Sequence, residues 1–279
     1  MPIHDQGYRR YGGRREPSGR TWAVIARSGV MNMVRRRLFL ALLLLAWLPF
    51  VVYAVQLYLA ANFPQASMLA ATPKTFRDFF EWQTVFVFFV TIYVGAGLIA
   101  NDRRANALQI YLSKPLTRAE YIVGKLAVLL VFLVGVTWLP AMLLLLLQIM
   151  FAGNLTFVRN NLFLFPAITL FAVIQVLTAA FAMLALSSMS RSSRFVGIMY
   201  AGLIFFTAAM YNALRAITGS SAFAWLSPTN CLDIIANAIF RTPSGRSVPL
   251  WIAFAAIFGL IVASIAILER RVRGVEIVT

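Results

Sequence analysis

The chain has 279 residues, of which 61% are hydrophobic and only 12% charged, a composition far more apolar than a soluble domain tolerates. It has 25 Lys and Arg against 9 Asp and Glu, an excess typical of nucleic-acid binding, contact with anionic lipid, or a polytopic membrane protein. The high apolar fraction favours the membrane protein, and the single cysteine, Cys231, excludes an internal disulfide framework and a multi-cysteine metal site.

The N-terminal region divides into a basic tail and a helix. Residues 1–20 are rich in Gly and Arg and have too few apolar side chains to build a core, so we predict a disordered cytoplasmic tail that sets topology or contacts anionic lipid. No nucleic-acid partner is predicted for it. Over 21–37 we expect an interface helix on the cytoplasmic membrane surface, because apolar residues recur at helical spacing and arginines fall elsewhere on the wheel. Its apolar face comprises Trp22, Ile25, Ala26, Gly29 and Met33.

Residues 38–279 are predicted to form a transmembrane domain with six spans. Six stretches without any charged residue are near or above the roughly 20 residues that cross a bilayer. Continuously apolar runs such as 38–48 lack the alternation of a membrane barrel, so the fold class is all-α. Pro49 and Pro140 indicate either broken helices or packing kinks. The predicted spans are 38–60, 83–100, 126–152, 162–187, 195–214 and 249–268.

The distribution of positive charge predicts the orientation. The N-terminal segment, 101–125, 188–194 and the C-terminus hold 19 of the 25 Lys and Arg, whereas the other three connections hold six. By the positive-inside rule both termini are expected in the cytoplasm, with the chain in the cell (inner) membrane. The longest segment outside the spans has about 37 residues, which is too short for an independent catalytic domain.

The connection 101–125 predicts a short helix at the cytoplasmic face. Asp102 is expected to cap a helix that begins at Arg103, and Pro115 to end it. Such an uncharged helix suits insertion into a groove on a partner, and it equally suits simple packing against lipid or neighbouring helices. Its apolar stripe consists of Leu108, Tyr111 and Leu112.

A second helix is expected to follow this break directly. Thr117 and Glu120 have the spacing of a capping box, in which each side chain binds the backbone N–H of the other residue. The helix should therefore begin near Arg118 and continue into the third span.

An amphipathic helix is predicted from about 228 to 240, on the outer side before the sixth span. Ser227 has the position of an N-cap, and Pro228 follows at the first helical position. The helix is interpreted either as an outer gate over a substrate path or as a passive interfacial helix. Apolar residues follow at helical spacing, and all of them except Ala236 are candidates for the gate: Leu232, Ile235, Ala236, Ile239 and Phe240.

Two charged residues flank the predicted spans at the outer boundary. Glu81 lies just before the second span and Arg215 just after the fifth. We hypothesise that they form an ion pair, within one subunit or across a dimer, although exposed pairs contribute only about 0–1 kcal/mol.

The segment 97–125 resembles the loop between the second and third spans of ABC type-2 transporter permeases. The likeness rests on Gly97 to Arg104, Leu108, the turn Leu112-Ser113-Lys114-Pro115-Leu116-Thr117-Arg118, and Gly124-Lys125. The chain departs from the family at Asn106-Ala107, where Gly-Thr is usual, and at Asp102, where Glu is common. Six spans, a surface helix before the first span and a basic ending at Arg270-Arg271 extend the resemblance over most of the chain.

This resemblance implies a permease subunit that has no ATPase domain of its own. Residues near 103–113 would be a coupling helix that docks onto a separate ATP-binding cassette ATPase, and the helix over 21–35 would be the family's interface helix. Two permeases, as a homodimer or heterodimer, and two ATPases would form a transporter, usually an exporter. The chain would bind no cofactor directly, with ATP and Mg on the partner. The implied docking residues are Asp102, Arg103, Arg104, Leu108, Tyr111, Leu112, Pro115 and Arg118.

The residues argue against other mechanisms. Gly124-Lys125 lacks the upstream glycine and the following Ser or Thr of a phosphate-binding loop, so ATP hydrolysis by this chain is not expected. No His, Asp or Glu lies inside a predicted span, which argues against an intramembrane enzyme and a proton-coupled carrier. A sodium-coupled carrier that uses backbone carbonyls, or a channel, remains the alternative.

Overall fold

The computed structural model describes residues 21–63, 65, 70–107, 117–152, 159, 161–243 and 245–272. Within this part of the chain, six helical segments are long and apolar enough to cross a membrane, which confirms the all-helical six-span fold. The predicted tail 1–20 lies outside the described residues, as do four predicted docking residues: Leu108, Tyr111, Leu112 and Pro115.

Three of the six spans consist of two helical pieces. Span 1 comprises α2 and α3, span 2 comprises α4 and α5, and span 3 comprises α6 and α7, while α8, α9 and α11 form spans 4, 5 and 6. A short 3-10 helix over Ala222–Leu226 precedes α10. The α-helices are α1 (Thr21–Val34), α2 (Arg37–Ala46), α3 (Leu48–Asn62), α4 (Pro73–Gly95), α5 (Ala100–Arg104), α6 (Arg118–Val136), α7 (Trp138–Ala152), α8 (Leu164–Met189), α9 (Ser193–Thr218), α10 (Pro228–Ile239) and α11 (Leu250–Arg271).

Span 2 begins at Pro73, whereas the predicted span begins at 83. The helix start has local signals: Thr72 and Thr75 form a capping box, and proline occupies the first helical position. The predicted start is wrong because the prediction admits no charged residue into the span, and the helix continues through charged residues back to Pro73. Charged side chains are accommodated on these turns because they form ion pairs, as described below.

Spans 2, 3 and 4 form the centre of the bundle. In their most apolar windows 56%, 56% and 67% of the residues are buried, against 17% in each of spans 1, 5 and 6. Apolar side chains gain little from association with each other in lipid, so the exposed faces of the outer three spans can remain in contact with it. Two apolar clusters lie along the bundle, one around Phe39, Leu129 and Met183 and the other around Phe80 and Phe240.

The two ends of the bundle differ in charge. We call the end formed by α1, α5, the start of α6, the junction of spans 4 and 5 and the end of α11 the basic end, and the other the opposite end. The described basic residues of the basic end include Arg35, Arg36, Arg103, Arg104, Arg118, Arg191, Arg194, Arg270 and Arg271.

Helix α1 packs closely against α6 through two glycines. A Cβ atom added at Gly124 would lie 2.9 Å from the Cβ of Ile25 and 2.9 Å from the backbone oxygen of Trp22, and one at Gly29 would lie 2.5 Å from Val128 Cγ2. Ile25 and Met33 pack on the apolar cluster of the basic end. Helix α1 is therefore attached to span 3, because only glycine permits this distance between the two backbones.

Replacing Gly124 with valine is expected to lower the free energy of unfolding by about 1–3 kcal/mol, because the new side chain overlaps the backbone of α1. Gly135→Val is the matched control: Gly135 lies on the same helix, and an added Cβ there has no heavy atom within 4 Å. Equilibrium unfolding in SDS, followed by tryptophan fluorescence, measures both variants. Equal stability of the two would contradict the close packing of α1 on α6.

Candidate functional site

A break in span 2 is held by a serine from span 4. Helix α4 ends at Gly95 and α5 starts at Ala100. Ser187 Oγ accepts hydrogen bonds from the backbone N–H groups of Ile99 and Ala100, both at 3.1 Å, and donates to the carbonyl of Ala96 at 3.0 Å. The serine thus satisfies backbone groups that the break leaves without helical partners, as buried polar groups in a membrane require.

The predicted capping role of Asp102 is wrong. Helix α5 begins at Ala100 with Ile99 at the N-cap position, so Asp102 lies inside the helix. Its carboxylate instead contacts Lys125 Nζ at 2.7 Å and accepts a hydrogen bond from the Tyr121 hydroxyl at 2.7 Å. Ser187 provides the cap from a distant part of the chain, which a local sequence pattern does not reveal.

These contacts join the helices that precede and follow residues 108–116. Asp102 lies near the end of span 2, whereas Tyr121 and Lys125 lie near the start of span 3. The ion pair is mostly buried, with side-chain exposures of 19% for Asp102 and 13% for Lys125. Arg103 Nη1 donates a hydrogen bond to the carbonyl of Ser188 on span 4. We call the following set the basic-end junction: Asp102, Arg103, Tyr121, Lys125, Ser187 and Ser188.

The described docking residues therefore divide into two groups. Asp102 and Arg103 contact other helices of the bundle, and Arg104 and Arg118 are exposed at the basic end. The start of α6 at Arg118 and the capping box of Thr117 with Glu120 are as predicted. Whether any of these residues contacts a partner protein stays a prediction.

On α1, the predicted face residues are only partly covered. Trp22 is 40% exposed, while Ile25, Ala26 and Met33 are half-buried. The first turn also contacts span 3 through a hydrogen bond from Thr21 Oγ1 to Glu120 Oε1 at 3.2 Å.

Gln83 joins the breaks in spans 1 and 3. The side chain is completely buried, and its Nε2 donates to the carbonyl of Ala46, at the end of α2, and to that of Val136, at the end of α6, at 2.9 and 2.5 Å. Pro140 lacks the N–H that would otherwise bind Val136 O four residues back. Pro49 and Pro140 thus lie in the first turn of the second helical piece of their spans, after an interruption of one residue, at Trp47 and at Thr137.

At the opposite end, α10 spans Pro228–Ile239, close to the predicted 228–240, with Ser227 at the N-cap position. Ile235 and Phe240 are completely buried, and the Phe240 ring lies 5.9 Å from that of Phe80. These two candidate gate residues anchor the end of the bundle. Leu232 and Ile239 are partly buried against the same apolar cluster, and Leu232 also lines two cavities.

A network of charged side chains holds α10 to span 2. Arg77 forms ion pairs with Asp78 at 2.9 Å, with Glu81 one turn further along α4, and with Asp233 on α10. Asp233 also pairs with Arg246, whose Nη2 donates to Asn230 Oδ1 at 3.1 Å. We call this set the opposite-end ion network: Arg77, Asp78, Glu81, Asp233 and Arg246.

The network corrects the intrasubunit form of the predicted outer ion pair. Glu81 pairs with Arg77, and among the described residues no salt bridge joins Glu81 to exposed Arg215. The spacing of four residues on one helix explains this choice, because it places the two side chains beside each other. A pair between Glu81 and Arg215 of two different subunits stays a prediction.

Two adjacent cavities lie beneath the network. The outer one, of about 200 Å³, is lined by network residues together with Phe80 and Phe171. The deeper one, of about 50 Å³, lies among spans 2, 4, 5 and 6 and is lined by Gln175 and mainly apolar side chains. Thr84, Thr229 and Leu232 line both, so the two cavities adjoin each other.

The buried Cys231 is expected to report on the packing of α10 against the bundle. Burial raises the pKa of its thiol to about 11, an effect that the nearby Arg246 only partly offsets. The thiolate fraction at neutral pH should therefore be about a hundredfold below that of an ordinary thiol, and the rate of reaction with N-ethylmaleimide should rise about tenfold per pH unit from pH 7 to 9. An ordinary thiol levels off in this range.

The control for this measurement is Thr218→Cys in a Cys231→Ser background, because Thr218 is exposed at the end of α9. It should react quickly and level off near its pKa. A plateau below pH 9 for the native Cys231 would mean that the thiol is not buried.

Three uncharged polar residues of this site have no structural role in the predictions from sequence: Gln83, Gln175 and Ser187. A buried amide or hydroxyl in hydrocarbon requires partners just as an ionisable group does. Their presence inside apolar runs was therefore an available signal, although their partners could not be known before the helices were packed.

Residues 23–271 match the family described as ABC-2 family transporter protein. No curated protein matches the chain.

Proposed function

The chain belongs to the ABC-2 transporter family and is a membrane-spanning permease subunit of an ABC transporter, and on this premise we propose that it is an exporter driven by a separate ATP-binding cassette ATPase. The ATPase would bind ATP and Mg²⁺ and dock at the basic end. A second permease subunit, identical or related, would complete the translocation path. The basic end would face the cytoplasm of a cell with the permease in its inner membrane, in keeping with the positive-inside rule.

The basic-end junction is the observation that supports this coupling. The Asp102 and Lys125 side chains join the helices before and after residues 108–116, and Ser187 and the Ser188 carbonyl join the end of span 2 to span 4. A displacement of the docking segment by the ATPase would therefore move spans 2, 3 and 4 together. Such rigid-body movement of packed helices is a common way to transmit a conformational change.

Helix α1 extends the proposed docking surface. It packs on span 3 directly beside the junction, and Trp22, Val24 and Met31 remain exposed. Exposed apolar groups beside basic residues suit a contact with the ATPase and with anionic lipid headgroups.

Leu108→Asp and Leu112→Asp are expected to abolish the complex with the ATPase, because each would place a carboxylate in the proposed apolar contact. The tagged chain is purified in mild detergent, and the co-purifying ATPase is identified and assayed for ATP hydrolysis. Thr218→Asp is the matched control, since it adds the same charge at an exposed residue of the opposite end. It should leave the complex intact.

A full, transport-competent complex with either leucine variant would reject the docking assignment. Sustained uphill transport by the purified chain alone in vesicles would reject the dependence on an ATPase and support the ion-coupled alternative.

A further inference from the structure

The deep cavity contains a buried hydrogen-bond acceptor without a partner. Gln175 on span 4 is 2% exposed, and its Nε2 donates to Thr84 Oγ1 at 3.1 Å. Its Oε1 is buried and has no hydrogen-bond partner among the residues that the structure describes. An unpaired amide oxygen in an apolar region is unfavourable, so its presence beside a cavity points to a ligand.

The orientation of this amide follows from its neighbour. The Thr84 hydroxyl donates its only proton to the carbonyl of Phe80 at 2.9 Å, so its oxygen can only accept from Gln175. The Gln175 NH₂ group must therefore face Thr84, which leaves Oε1 for another donor. Thr178, a further polar residue of the cavity, similarly donates to Ile174 O at 2.7 Å.

The rest of the cavity lining is uncharged. Apolar side chains from spans 2, 4, 5 and 6 surround Gln175, among them Val87, Phe88, Ala179, Leu203, Ile204 and Leu260. A charged group here would lose its hydration without gaining a counter-charge, whereas a hydroxyl or amide N–H needs only one acceptor.

We propose that the deep cavity binds a neutral, mainly apolar molecule that has a hydrogen-bond donor, a hydroxyl or an amide N–H, and that Gln175 Oε1 accepts this hydrogen bond. If the bound molecule is the one transported, this site defines the substrate class of the proposed exporter. That step rests on the proposed function, whereas binding itself does not. The volume of about 50 Å³ admits the donor-bearing end of the molecule and a few carbon atoms.

The remainder of such a molecule would extend toward the outer cavity. Thr84, Thr229 and Leu232 belong to both cavities, so Leu232 on α10 lies where the two cavities adjoin. Asp233, the next residue of α10, is bound by Arg77 and Arg246. The ion network thus holds α10 beside both cavities, and we expect release of the ligand at the opposite end to require these ion pairs to open.

The test measures binding directly, without ATP or a partner. The purified full chain in nanodiscs of phosphatidylcholine, a lipid whose headgroup has no hydrogen-bond donor, is photolabelled with 3-azibutanol or with its methyl ether. Mass spectrometry of the peptides quantifies adducts on residues that line the cavity. We expect the alcohol to label them about fivefold more than the ether, since one hydrogen bond distinguishes the two probes.

In the Gln175→Met variant this preference should fall to about one, because methionine keeps the size of the side chain and removes the acceptor. Gln148→Met, a matched change at a half-buried glutamine of span 3 away from the cavity, should keep the preference. A measurement on the unmodified protein removes any dependence on folding of the variants: n-butanol should reduce the labelling by the alcohol probe more than its isomer methyl propyl ether does.

Equal alcohol preference in the native protein and in Gln175→Met would overturn the proposal, as would adducts confined to the lipid-facing surfaces. The ATPase complex is measured separately by purification. If the ATPase complex forms but the cavity shows no alcohol preference, the exporter assignment stands and this site is rejected. If the cavity shows the alcohol preference but no ATPase complex forms, the site stands and the exporter assignment is rejected.

Discussion

Replacing Lys125 with methionine is expected to lower the free energy of unfolding by about 3–5 kcal/mol, because it leaves the mostly buried Asp102 carboxylate without its counter-charge. The Tyr121 hydroxyl still donates one hydrogen bond to this carboxylate, but a neutral donor does not replace a positive charge. Equilibrium unfolding of the purified chain in SDS measures the loss.

The double variant Asp102→Asn/Lys125→Met separates stability from coupling. Removal of both charges eliminates the unpaired buried carboxylate, so most of the lost stability should return. The ionic link between spans 2 and 3 is still absent, and we therefore expect ATP-driven transport to remain impaired although the protein is folded. Wild-type stability of Lys125→Met would show that the pair is solvated, and full transport by the double variant would show that the link is not needed for coupling.

Replacing Gln83 with leucine is expected to lower the free energy of unfolding by about 1–3 kcal/mol. The substitution removes two interhelical hydrogen bonds, to the carbonyls of Ala46 and Val136, and each such bond contributes about 0.6–1.7 kcal/mol in a membrane protein. Val136 O would then have no donor from Gln83 or from Pro140. The same SDS titration measures the effect.

Gln148→Leu is the matched control for this prediction. It makes the same chemical change in span 3, at a half-buried side chain with no hydrogen bond to another described residue. A smaller loss than in Gln83→Leu is expected. If both variants lose the same stability, the effect reflects the polarity of the span in general, and Gln83 has no special role in joining the two breaks.

Loss of these two contacts should affect the protein differently. The ion pair of Asp102 and Lys125 joins the helices before and after residues 108–116, the proposed docking segment, so its removal should mainly affect the response to the proposed ATPase. Gln83 lies where three spans meet at two helix breaks, so its removal should mainly loosen the bundle.

The six spans could be predicted because the bilayer imposes them on the sequence. An apolar run of about 20 residues has few alternatives to a membrane helix, and its length does not depend on any other part of the chain. Local signals were equally reliable where their partners lie within one turn, as in the capping box of Thr117 and Glu120 and in the start of α10 at Pro228.

Predictions failed where a distant residue competes with a local one. Asp102 has the chemistry of an N-cap, but Ser187 on another span satisfies the backbone there, and the carboxylate binds Lys125 instead. Glu81 was assigned to Arg215 from their common boundary position, yet Arg77 on the same helix is nearer. The start of span 2 at Pro73 was missed because the ion pairs that shelter its charges involve α10.

The sequence by itself determined the number of spans, the capping box of Thr117 and Glu120 and the resemblance to a transporter family, since each depends on neighbouring residues or on the surrounding lipid. Only the tertiary structure decided which polar groups meet: Gln83 with two helix breaks, Arg77 with Asp233, and Gln175 with a cavity. The physical reason is that a buried polar group in a membrane takes its partner from whichever group packing brings within about 3 Å. No fixed spacing along the sequence encodes which groups packing brings together.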